Sequence, residues 1–139
     1  MSGSRLIVLG IVLIGALAPA ASEAQRNPPL VISSMSGQDL FQFYCATCHG
    51  RDAKGSGPAA AALKTPPADL TRIAARRGGQ FPRADVIAFV GDAKPMIPAH
   101  GSIEMPVWGP IFRALDASDT RAHVRIENVV NFLESIQVK

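Results

Sequence analysis

The chain has 139 residues, 47% hydrophobic and 18% charged, which is the length and balance of one ordinary globular domain without low-complexity tracts. A formal net charge of +3 is too small to make nucleic acid the expected partner. With only two cysteines, Cys45 and Cys48, three positions apart, a disulfide between them would close a very small loop and restrain little of the unfolded chain.

In chain order, the apolar run Leu6 to Ala18 follows a lone Arg5 and precedes small residues ending in Ala24. Its thirteen residues are fewer than the roughly 18–20 a membrane span requires, so residues 1–24 read as a signal peptide cut after Ala24. An uncleaved anchor is the rival reading. Removal takes away Arg5 and Glu23, leaving 13 basic against 10 acidic residues, again +3. Residues 25–35, with Pro28-Pro29, read as an extended leader, and 36–139 as the folded domain.

Order is expected to begin at Ser36, which with Asp39 forms a helix-capping box. Leu40, Phe41, Phe43 and Tyr44 then supply an apolar face for a helix from about Gly37 to Thr47. Turn formers dominate residues 50–69, leaving one helical turn over Ala59 to Leu63. Asp69 caps a short helix stopped by Gly78-Gly79, and Pro82 opens another that ends at Gly91. Four prolines from Gly91 to Pro110 inclusive, Pro95, Pro98, Pro106 and Pro110, argue against regular structure there. The last segment, from Ser118 or Asp119, places Ala122, Ile126, Val129, Val130, Leu133 and Ile136 at steps of three and four, the clearest helix in the chain. With no strand pattern, the expected fold is all-α.

The chemistry concentrates in Cys45-Ala46-Thr47-Cys48-His49, the attachment pattern for c-type haem. On a helical turn both thiols reach the two vinyl groups of one porphyrin edge while His49 turns toward the iron. A dithiol redox site would need a strand before the motif, and an aromatic helix precedes it here. A structural zinc site needs four ligands, and only His100 and His123 remain to complete one.

For the iron's other face the chain offers Met35, Met96, Met105, His100 and His123. Met35 lies on the same short segment as His49 and cannot easily cross the ring. His100 reads as a loop residue or an outer donor, and His123 as a helix-surface residue. The stiff setting of Met105, followed by Pro106, Trp108 and Gly109, favours it as ligand, with Met96 the alternative. Leu40, Phe43, Leu63, Leu70, Ile73, Ile97, Trp108 and Phe112 are candidates for an apolar pocket. Arg72, Arg76, Arg77 and Arg83, near Lys64, form either a solvated face or a patch for a haem propionate or an acidic partner.

These features resemble the class I c-type cytochromes over Gly37 to Gln137. They are Gly37 and Phe41 before Cys45-Ala46-Thr47-Cys48-His49-Gly50, then Gly55-Ser56-Gly57-Pro58, then Glu104-Met105-Pro106-Val107-Trp108-Gly109, and a final helix bearing Phe132. The resemblance implies a small cytochrome c-like fold of four to five short helices around one covalently attached haem c, with Gly37 and Phe132 at the crossing of the first and last helices. It also implies His49 and Met105 as axial iron ligands, thioethers at Cys45 and Cys48, and a Pro58 carbonyl accepting from the second His49 nitrogen. A closed His/Met iron has no site for substrate, so the implied role is a periplasmic one-electron carrier with transient redox partners, not an enzyme. The alternatives are a haem subunit of a periplasmic oxidoreductase and, should Met105 not ligate, a gas-binding or peroxide-reducing haem protein.

Overall fold

The structure, a computed structural model, describes residues 31–91, 105–116 and 118–138. The expected signal segment 1–24, the first half of the leader, Met96, Ile97 and His100 lie outside the described residues. Among those described, all regular structure is helical: α1 (Gly37–Tyr44), the single turn α2 (Ala46–His49), α3 (Arg83–Gly91), α4 (Trp108–Asp116) and α5 (Asp119–Ser135). Three short 3-10 turns, Ala60–Ala62, Leu70–Arg72 and Ala75–Arg77, punctuate the long connection between α2 and α3.

The long helix α5 is the spine against which α1, α3 and α4 pack. Its apolar stripe explains why. Ala122, Ile126, Val129, Val130 and Leu133 are all buried, and the Ser118 side chain caps its first turn by accepting from the Arg121 N–H. Val129 and Leu133 meet Leu40 and Phe41 of α1, whereas Ala122, Ile126 and Val130 meet Val90 of α3 and Phe112 of α4.

α1 and α5 cross at Gly37 with almost no separation. A methyl group added there would lie 1.9 Å from the Asn128 carbonyl oxygen and 3.0 Å from the Phe132 Cβ. Only a residue without a side chain permits this approach, and Phe41 and Phe132 meet beside it with ring centres 5.2 Å apart and planes tilted by 42°. On the other side of the spine, Arg83 of α3 bridges to both Glu127 and Glu134 of α5.

Four local expectations need correction. The first helix does not run on to Thr47: it stops at Tyr44, and Cys45, with φ −111°, separates it from α2. The segment after Asp69 makes two 3-10 turns instead of one helix, although Gly78, at φ +69°, does terminate it in the left-handed region. Order reaches further upstream than Ser36, because the Met35 carbonyl accepts from Asn128 Nδ2 at 2.7 Å and Ser34 donates to Asp39 at 2.6 Å. Finally, a helix starts at Trp108 inside the proline-rich region. Pro110 lies in its first turn, where a missing N–H leaves no helical hydrogen bond broken.

Replacing Gly37 by Ala is expected to force the two helices apart and cost about 3 kcal/mol. Guanidinium denaturation of the purified protein would register this, and an unchanged midpoint would mean that the crossing does not bear on stability.

Candidate functional site

Cys45, Cys48 and His49 occupy one turn closed by its own backbone, with the His49 and Cys48 amides donating to the Cys45 carbonyl at 2.9 and 3.2 Å. A free-standing turn of four residues would leave its remaining carbonyls bare. Here the following loop doubles back and takes them in alternate steps. The Gly55 amide donates to the His49 carbonyl (2.7 Å), Gly57 to Cys48 (3.0 Å) and Ala59 to Thr47 (2.9 Å), while Gly50 serves Ala46 (2.8 Å). Close passage demands glycine: a Cβ at Gly57 would stand 2.4 Å from the Thr47 oxygen. The Gly-Ser-Gly-Pro segment is therefore the clamp of the motif.

His49 is only 8% exposed. Its Nδ1 lies 3.2 Å from the Ala68 carbonyl oxygen. A carbonyl can only accept, so this bond requires the proton on Nδ1 and leaves the Nε2 lone pair available as a ligand. Burial lowers the His49 pKa, against the opposing pull of the Ala68 bond, and so favours the neutral, ligating form. The acceptor corrects the expectation that Pro58 would fill this role. Pro58 is exposed, and its loop spends its amides on the carbonyls of the motif instead.

Cys45 and Cys48 are each half-buried and are not joined to each other. Atoms packed around the Cys45 sulfur, and then the neighbouring Cys48, push its pKa up to about 12. A dithiol oxidoreductase needs the opposite, a thiol readily ionised near neutral pH. Among the described residues no group of three or more His, Cys, Asp or Glu is arranged to hold a metal ion directly. The donor set fits a group tethered through two thioethers with one imidazole beneath its metal, which is the arrangement a haem c requires.

Met105 and Trp108 lie at the entrance to α4 and pack on the cluster of Val90, Phe112 and Val130. Tyr44 joins the two halves, since it touches this cluster as well as the one holding Cys45, and its ring is 5.4 Å from Trp108 and 5.1 Å from Phe112. Of the expected pocket residues, Leu40 and Phe112 are 0% and 1% exposed, so the protein core has already covered them. Leu63, Leu70, Ile73 and Trp108, half-buried, and Phe43, 40% exposed, retain surface for a flat apolar group.

Three arginines of the mid-chain cluster take different partners. Arg83 is held by α5, Arg77 pairs with Asp85 at 3.4 Å, and Arg76 donates to the Asp69 carbonyl at 3.0 Å. Two features escaped the sequence reading. Ala68 acts through its backbone and carries no side-chain signal. Arg125, 1% exposed with its guanidinium carbon 6.0 Å from the Phe112 ring centre, is a core residue; its place between Ala122 and Val129 on the apolar stripe was the available sign.

Residues 33–122, well over half the chain, match the family model described as cytochrome c oxidase, cbb3-type, subunit III, a c-type cytochrome domain. No curated protein and no solved structure matches.

The segment presenting Ala68 depends on Asp69, whose carboxylate accepts from the Thr71 hydroxyl at 2.6 Å and the Thr71 amide at 2.9 Å. The Thr71 hydroxyl, above all, holds its pKa below the ordinary 3.8, with help from Arg72 and Arg76. A lowered folded-state pKa contributes stability above the unfolded value that is lost as pH falls. Asp69→Ala is thus expected to cost about 1 kcal/mol at pH 7. The difference from wild type should shrink once pH drops below 3.8, as read from denaturation midpoints at several pH values.

Proposed function

Because the chain belongs to this family of c-type cytochromes, which hold haem c covalently, we propose that it carries single electrons between redox proteins of the periplasm. The observation that carries the reading is the turn Cys45 to His49, with Nδ1 committed to the Ala68 carbonyl and Nε2 left to ligate. Cys45 and Cys48 are the tethering thiols. His49 and Met105 would be the two protein ligands of the haem iron. The bound haem supplies an iron that alternates between ferric and ferrous states, one electron at a time.

The chain's own residues govern how it does so. Two ligands leave no iron position for a substrate, which favours electron transfer over catalysis. A thioether ligand favours the ferrous state, and the apolar surface of Leu63, Leu70, Ile73 and Trp108 disfavours added charge, so both raise the potential. Export through the segment 1–24 would deliver the protein to the compartment where its partners reside.

A second reading rests on the family match itself: the protein serves as the haem subunit of an oxidoreductase complex. Among the described residues no helix is long and apolar enough to cross a membrane. Co-migration of the haem-stained band with larger chains on a native gel would distinguish such a subunit from a free shuttle.

The ligand assignment is tested by optical spectra of the oxidised and reduced protein from a haem-attaching host. A sulfur-to-ferric-iron band and indifference to carbon monoxide are expected for wild type and Met96→Ala. Met105→Ala should lose the band and bind carbon monoxide. Carbon monoxide binding by wild type would instead favour a gas-binding or peroxide-reducing role.

A further inference from the structure

Behind the His49 ring two stretches of backbone are held against each other, residues 50–57 and residues 67–70. Two contacts determine their separation, and a third ties the first stretch to His49. Gly55 donates its amide to the carbonyl of His49 itself, at 2.7 Å. A Cβ on Gly55, whose φ is +89°, would fall 2.2 Å from the Pro67 carbonyl oxygen, 3.1 Å from its carbon and 3.4 Å from the Ala68 carbonyl carbon. The Ala53 carbonyl accepts from the Leu70 amide at 2.8 Å, and Ala53, 1% exposed, adopts φ +61° to do so.

The Ala68 carbonyl is therefore tethered on one side at Leu70 and stopped on the other at Pro67. The stop is Gly55, whose amide donates to the carbonyl of His49. A left-handed alanine at position 53 carries a strain of about 1 kcal/mol or more, tolerated where surrounding contacts over-determine it. Proline at 67 removes the backbone freedom by which the segment could otherwise yield.

We propose that Gly55 is a positioning residue for His49: by letting the Pro67–Ala68 backbone approach, it sets the length of the Nδ1–H to Ala68 carbonyl bond and through it the reduction potential. The inference rests on the haem reading above, in which Nε2 of His49 ligates iron. A short bond draws the imidazole toward imidazolate character and stabilises ferric iron, whereas a longer one makes the ligand less basic and raises the potential.

Gly79 provides the control. It has the same φ of +89° but nothing within 4 Å of an added Cβ, so Gly79→Ala has the backbone strain of Gly55→Ala without its contact. Both haem-loaded variants should lose stability. Only Gly55→Ala should raise the midpoint, by enough to change the ferrous-to-ferric ratio about tenfold in a buffer poised at the wild-type midpoint. Its Nδ1–H proton resonance should shift as the bond lengthens. Should Gly55→Ala not accumulate with haem, Pro67→Gly, which slackens the same segment without adding an atom near the ring, must shift the midpoint in the same direction. Equal shifts in Gly55→Ala and Gly79→Ala, or an unchanged midpoint and resonance in Gly55→Ala or Pro67→Gly, would overturn the proposal while leaving haem ligation intact. A wild-type spectrum lacking histidine ligation would sink the haem reading itself, and this inference with it.

Discussion

The structure depends on keeping one short turn, residues 45–49, in a single conformation although it is too short to hold itself. An isolated helical turn forms unfavourably, because several dihedrals are restrained for one hydrogen bond. The chain overcomes this by returning the next ten residues along the turn, so that amides of Gly55, Gly57 and Ala59 meet the carbonyls of His49, Cys48 and Thr47. α1 is held by its crossing with α5 and α2 by the loop, with Cys45 between them.

The same clamp links the site to the rest of the fold. Ala53, within the returning loop, is buried in the cluster formed by Leu40, Phe41, Val129 and Leu133. It also holds Leu70, and so the Ala68 carbonyl, in place. The end of the chain closes the arrangement: Gln137 donates to the Leu70 carbonyl and accepts from the Ala74 amide, both at 2.8 Å. The segment facing His49 is thus tied to the helix spine from two directions, and a residue's distance along the sequence says little about its influence on the imidazole.

Charge is handled by local pairing more than by a concentrated field. Arg83 joins α3 to α5 through Glu127 and Glu134, and the Glu127 carboxylate, more than Glu134, holds the Arg83 pKa above its ordinary value. Exposed pairs of this kind orient elements and add little to stability. The aromatic bridge Tyr44, Trp108 and Phe112 sits instead where the two apolar clusters meet, and links the turn carrying the thiols to the segment carrying Met105.

By itself the sequence determined what depends on local spacing. The pentapeptide specifies its chemistry through the step from Cys45 to Cys48 and the adjoining His49. The stripe from Ala122 to Leu133 specifies a helix because apolar residues recur at its period, and Gly78 ends a segment because glycine adopts the left-handed turn without a Cβ penalty. Gly37 and Phe132 were legible as a crossing through the family resemblance. Tertiary structure decided what depends on which backbones meet: Ala68 in place of Pro58 as the partner of His49, the clamp at Gly55 and Gly57, the helix through Pro110, and the burial of Leu40, Phe112 and Arg125. The physical reason is that a carbonyl acceptor or a close approach belongs to a pair of segments. Every residue carries the same carbonyl and amide, so only the folded chain reveals which of them come together.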